Sequence, residues 1–245
     1  MINKFLIRSI ISKCSVGGLI EANTWSIQDN KINIEFCPIT KNVVGKVTTN
    51  LTCDDMKLPI FDLKKFSNLI EICSNDLAFK IIDNNRKIKI SDDRYDLVYA
   101  LANEMLIPKV PKIEVGKWTS QCELNPDILL DITKAIQAVE SFSNLVVISN
   151  DNDADGNKII RFTFGEQSVH SNTVTYTLLP DVEYEEDFAI PFDSTYLKSI
   201  LNANKDLPKG NLYIQKDGLI KLEFEGGEFN ISSTYHLPRI ENSNY

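Results

Sequence analysis

Two spacings of apolar residues run along the chain. From Leu63 onward they fall at Leu63, Phe66, Leu69, Ile70 and Cys73, the three- and four-residue recurrence of one helix face. The same recurrence returns at Leu197, Ile200 and Leu201. Each stretch opens on Phe-Asp, at Phe61-Asp62 and Phe192-Asp193. An aspartate there accepts from the first free N–H groups of a helix. The Phe before it is expected to pack on the fourth helical residue, Phe66 or Leu197, as a hydrophobic staple. Superimposing the two Phe-Asp pairs places Phe66 on Leu197, Leu69 on Ile200 and Ile70 on Leu201, at an offset of 131 residues from Phe61 to Phe192.

The second spacing is the alternation of strands, and it repeats too. "AFKIIDNNRKIKI" (78–90) and "LYIQKDGLIKLEF" (212–224) each read as strand, polar turn, strand. Upstream, the amphipathic "NKFLIRSIISKC" (3–14) precedes the hairpin "TWSIQDNKINIEF". Its counterpart is "NPDILLDITKAIQAVES" (125–141), with Asn125 as cap and Pro126 at the first helical position. That helix leads into "NLVVISNDNDADGNKIIRFTF". Between the halves, Pro108 and Pro111 in "IPKVPKIEVGKW" argue for an extended connector. The expected parse is two similar α+β domains, residues 1–107 and 120–245, joined by a connector at 108–119.

Within this frame the run "NDNDADGN" (150–157) has a defined place. Asp151, Asp153, Asp155 and Gly156 match the opening of a calcium-binding loop, but the twelfth position is Phe162 and the flanks have strand character. The stretch is therefore expected to be a hairpin tip, where Asn, Asp and Gly are favoured by positive φ.

Composition narrows the chemistry. The 245 residues are 43% hydrophobic and 24% charged, as in a globular chain. Arg8 and Lys13 interrupt the apolar N-terminal run too early for a signal peptide or a membrane span. Cys14, Cys37, Cys53, Cys73 and Cys122 are scattered and odd in number, and the histidines are His170 and His236, so reduced thiols and no metal or other cofactor are expected. No GxSxG, Walker or GxGxxG motif occurs, and the acidic run "DVEYEEDF" (181–188) reads as a solvated loop, so no enzymatic activity is expected. The net charge of −8 should repel DNA from the surface as a whole.

The helix "FDLKKFSNLIEI", the hairpin "NRKIKISDDRYDLVY" and the C-terminal "YHLPRIE", in this order and spacing, resemble the DNA sliding clamps. The likeness is to the trimeric clamps of T4-type bacteriophages and to the proliferating cell nuclear antigen of eukaryotes and archaea. The tail of that antigen has a tyrosine, two residues, then Pro-basic-Ile-Glu, as at Tyr235, Pro238, Arg239, Ile240 and Glu241. The resemblance implies a DNA clamp fold of two similar domains, each with two helices on antiparallel sheets. It further implies a homotrimeric ring around duplex DNA that tethers a DNA polymerase and is placed by a separate clamp loader. Phage clamps of this kind also contact transcription machinery. Such a protein would work in the cytoplasm, that of the host cell if phage-encoded, with no membrane partner.

A ring of this kind needs cationic helix faces inside an acidic chain. In the first helix Lys4, Arg8 and Lys13 lie on or near one polar face, opposite an apolar stripe of Phe5, Leu6, Ile10 and Cys14. Lys64, Lys65 and Asn68 lie off the apolar stripe of the second helix, and Lys198, Asn202 and Lys205 off that of the fourth. The third is the misfit: Asp127, Asp131, Gln137 and Glu140 surround Lys134, which alone is expected to face phosphate. Taken helix by helix, these are also ordinary solvated lysines. By position in the resemblance, Val110, Ile113 and Val115 of the connector, with Tyr235, Leu237, Pro238 and Ile240, would form a groove for a partner peptide; covering the domain junction is the other reading. Two further readings compete with the clamp. One is a structural or virion β-rich protein with duplicated domains and no DNA role, the other a monomeric processivity subunit.

Overall fold

Asn3 sets the first helix. In the computed structural model, which describes residues 1–166, 172–182, 184 and 186–241, its side chain accepts from Phe5 N, so the chain leaves the short strand β1 (Ile2–Asn3) directly into α1 (Lys4–Ser15). The strands β2 (Asn23–Gln28) and β3 (Lys31–Phe36) follow. They turn at Asp29 and Asn30, both at positive φ, which suits the right-handed twist of a hairpin. After β4 (Val44–Asn50) and β5 (Met56–Ile60), Asp62 accepts from Lys65 N and starts α2 (Leu63–Ile72). Then come β6 (Asp76–Ile82), β7 (Lys87–Ser91) and β8 (Asp96–Ala100). One antiparallel sheet has the order β1-β6-β7-β8, and a second antiparallel run has the order β5-β2-β3-β4.

Phe66 of α2 ties these layers together. Its ring meets Trp25 of β2 edge-on at 5.4 Å and Tyr99 of β8 at 5.2 Å, so one helix residue is packed by both sheets. The Tyr99 hydroxyl donates to Asp62 O, fixing the start of the same helix.

The second half repeats the plan from β9 (Ser120–Glu123) and α3 (Pro126–Val139), where Asn125 accepts from Ile128 N and Pro126 opens the helix. Next are β10 (Leu145–Asn152), β11 (Lys158–Phe164), β12 (Val174–Leu178) and β13 (Ala189–Asp193). Asp193 accepts from Thr195 N to begin α4 (Ser194–Asn204), followed by β14 (Lys209–Gln215), β15 (Leu219–Gly226) and β16 (Ile231–Pro238). Here the sheet orders are β12-β11-β10-β13 and β16-β15-β14-β9. The chain divides into two units, Met1–Lys112 with Gly226–Thr234, and Ile113–Glu225 with the segment from Tyr235 onward.

The hairpin tip at 153–157 is a turn built by its own polar groups. One oxygen of Asp153 accepts from Asp155 N at 2.9 Å and Asn157 N at 2.8 Å, the other from Asn157 Nδ2 at 2.9 Å, and Gly156 sits at φ +85°. Asp151 points instead to Arg161, at 2.8 Å. In the acidic run, Glu183 and Glu185 lie outside the described residues, as does His170. Tyr184 between them is buried, its hydroxyl donating to Asp151 O, so part of the expected solvated loop is an anchor.

Two local expectations are corrected. Phe61 is 56% exposed, so the first copy has no staple; Phe192 and Leu197 are both buried, as a staple in the second copy requires. In α1 the buried stripe is Leu6, Ile7, Ile10, Ile11 and Cys14, and Phe5 is exposed. The helix is turned by about one position from the expected stripe, with Ile7 and Ile11 on the packed side where Phe5 was expected.

Candidate nucleic-acid interface

Helices α1 and α2 lie side by side, with the start of α1 at the end of α2. Lys4 makes that junction: its ammonium donates to Glu71 O and Cys73 O, both at 2.7 Å. These are carbonyls left over at the end of a helix, where a cation is favoured by the dipole. One turn on, Arg8 Nε meets Glu71 Oε1 at 2.7 Å. Glu71 Oε2 also lies 4.0 Å from Lys4. Both cations expected to face DNA are thus engaged with α2.

Lys13 does not face outward at all. It is 1% exposed, and its ammonium donates to Ser9 Oγ at 3.0 Å. Position 13 precedes Cys14 on the buried side of α1, and the long aliphatic stem of a lysine can be packed there. On α2, Lys65 is exposed but paired with Asp62 at 3.0 Å, while Lys64 and Asn68 are exposed.

The second helix pair repeats the theme with the roles exchanged. Lys198 of α4 pairs with Glu140, which caps the C-terminal end of α3. Lys134 is exposed and 3.4 Å from Asp131, one turn back on α3. Asn202 and Lys205 are exposed. Of the cations assigned to the helix faces, Lys64 and Lys205 have no ion pair among the described residues. The acids Glu71 and Glu140 were missed as site residues. The sequence signal was their position, since an acid near a helix C-terminus opposes the macrodipole.

The residues assigned to a peptide groove separate by burial. Val110 belongs to the first unit and is half-buried; Ile113, half-buried, and Val115, exposed, belong to the second. Tyr235 and Leu237 are 0% and 1% exposed and form part of the core of the second unit, so they offer no docking surface. Alternation along β16 dictates this, because both point to the packed face while His236 and Pro238 point away. Pro238 is exposed and Ile240 half-buried, with Ile240 N donating to Pro191 O at 2.9 Å.

Sequence reasoning also missed an aromatic support at the connector's end. The Lys221 ammonium lies 3.8 Å from the Tyr213 ring centroid and 5.1 Å from that of Trp118, and 2.8 Å from Glu223. Burial, then the charge of Lys221, holds the neighbouring His236 below the usual imidazole range. All five cysteines are free, and burial pushes the Cys14 and Cys122 thiols up to about 12, which makes them poor nucleophiles.

Two units, each with a helix pair packed on antiparallel sheets, define the fold of the PCNA-like sliding clamps. Among solved structures, the chain is similar to the proliferating cellular nuclear antigen from Entamoeba histolytica, with 13% identity, coverage of 97% of this chain and 96% of that one, and a TM-score of 0.74. It is also similar to A. fulgidus PCNA, in a structure with the C-terminal region of FEN-1 bound, at 13% identity, full coverage of both chains and a TM-score of 0.76. At that identity the likeness is one of fold. No family model matches the chain, and no curated protein matches it.

Proposed function

We propose that the chain is a sliding clamp. In this reading it is a DNA polymerase processivity factor that closes as a homotrimeric ring around duplex DNA, of the kind T4-type phages use. A separate loader places it, and a polymerase is held to it through a peptide, as a FEN-1 segment is held by A. fulgidus PCNA. The protein performs no chemistry of its own.

One observation carries the self-assembly. Among the described residues, sheet margins are closed by backbone bonds at β5 (Ala102 N to Pro59 O, 2.9 Å), β9 (Asp181 N to Gln121 O, 2.8 Å) and β13 (Ile240 N to Pro191 O, 2.9 Å), and β1 is only two residues long. Among the described residues, the margins β8 in the first unit and β12 in the second carry no such bond, and each is five residues long. Exposed apolar side chains flank both: Tyr95 and Val98 at β8, Leu130 and Leu179 near β12. An open apolar strand edge is an aggregation hazard unless it is paired. Pairing β8 of one copy with β12 of the next is a head-to-tail contact, the kind that closes into a ring when the rotation between copies is a whole fraction of a turn and otherwise runs on as a filament.

The exposed Lys64, Asn68, Asn202 and Lys205, with the paired Arg8, Lys65, Lys134 and Lys198 and the helix-capping Lys4, would then hold DNA weakly and without reading sequence. Native mass spectrometry across a range of protein concentrations tests the assembly. A species of three times the chain mass is expected; a single-chain mass throughout would favour the monomeric processivity reading instead.

A further inference from the structure

Glu71 and Glu140 sit where helix electrostatics disfavours them. Glu71 is in the last turn of α2 and Glu140 is the C-terminal cap residue of α3, the ends at which the helix dipole repels an acid. Helix stability therefore does not explain either one. Each reaches across to a cation of the neighbouring helix in its own unit, Glu71 to Arg8 and, more distantly, Lys4, and Glu140 to Lys198. The arrangement occurs once in each unit, with the acid on the second helix in one and on the first helix in the other.

We propose that Glu71 and Glu140 set the affinity for duplex DNA by competing with phosphate for Arg8 and Lys198. The inference rests on the DNA reading above. Glu71, Arg8 and Glu140 are exposed at these ion pairs and Lys198 is half-buried, so water and salt screen both pairs and each is worth little. A phosphate brought alongside can take the cation and leave the carboxylate hydrated. Each contact then exchanges one anion for another, so its net gain is small and its register is not fixed. A clamp that must move along the duplex needs contacts of this kind. Glu71 and Glu140 act through Arg8 and Lys198, and are positioning residues in that sense.

Fluorescence anisotropy of the full chain on a short linear duplex, repeated over a salt series, tests this with Glu71→Gln, Glu140→Gln and the double variant. Glu228→Gln, an exposed acid of the β15–β16 turn, controls for the change in net charge. The expected result is several-fold tighter binding at low salt for each helix variant. The slope of log affinity against log salt should steepen by about 0.9 for each cation released to phosphate. Glu228→Gln should leave the slope as it is. An acid that merely braces the helices would lower the thermal midpoint and leave the slope unmoved, and that result overturns the inference. So does a gain equal to that of Glu228→Gln. Lys64→Ala with Lys205→Ala separates the two levels of the argument: if that variant binds more weakly while the glutamate variants match the wild type, the inference fails and the DNA reading stands. If no variant changes binding, both fall.

Discussion

The Asn204 side-chain amide donates to the Tyr235 hydroxyl at 3.0 Å, with both residues fully buried, and so joins the end of α4 to β16. The same amide also donates to Ile200 O at 2.7 Å, which closes the last turn of the helix. The Tyr235 ring in turn meets Phe224 at 6.3 Å. Tyr235→Ala should therefore destabilise the protein by about 3–5 kcal/mol, as large-to-small aromatic changes in cores do. Tyr235→Phe should cost about 1 kcal/mol, the worth of one hydrogen bond. Urea denaturation monitored by circular dichroism checks both. A stable Tyr235→Ala protein would show that the residue is not part of the core.

Pro238, the residue after Leu237, is exposed and can be changed without that cost. If this end of β16 receives a partner peptide, Pro238→Asp with Ile240→Asp should abolish stimulation of a cognate polymerase and leave the native mass unchanged. An anchor side chain in such a contact is worth about 2–3 kcal/mol, enough to lose most of the bound fraction. Unchanged stimulation would remove these residues from any docking site.

Val98 is 53% exposed on β8 and contributes little to the folded chain by itself. Val98→Asp should leave the circular dichroism spectrum and thermal midpoint close to wild type. On size exclusion it should shift the protein from three chains to one. An unshifted elution volume would place the subunit contact elsewhere.

Asp92 connects the end of α2 to the β7–β8 turn. Its carboxylate accepts from Ser74 N, Tyr95 N and Arg94 N, and these bonds, Ser74 first, lower its pKa to about 2. The folded value lies below the unfolded one, so the contribution is complete above the ordinary carboxylate range and is lost as pH falls from about 4 toward 2. Asp92→Asn should therefore lower stability at neutral pH and flatten the acid limb of the stability–pH curve between those values, so that variant and wild type converge as pH nears 2. A parallel acid limb in wild type and variant would contradict this.

The helices and the duplication were legible because they rest on local rules. Asn125, Asp62 and Asp193 cap as expected, and Asp29-Asn30 turns as expected, since caps and turns are settled within a few residues of chain. Pairings between strands distant in the chain were less legible, because partners such as β5 for β2 and β13 for β10 are chosen by tertiary packing. The cationic faces were half legible. Helical spacing separates polar from apolar positions, but it does not show that Lys4 turns back to Glu71 O and Cys73 O or that the stem of Lys13 is packed inside. Tyr235 was misplaced for the same reason: position in a resembling tail gives no information on which face of β16 it occupies.

Topological retention on DNA tests the ring most directly. Protein carrying one cysteine on each open margin, Val98→Cys and Tyr176→Cys, would be cross-linked in the presence of nicked circular plasmid and passed over a sizing column at high salt. The account predicts that the protein elutes with the circle and is released once the plasmid is cut to a linear form. Release from the circle at high salt, or equal retention on circle and linear DNA, would contradict it.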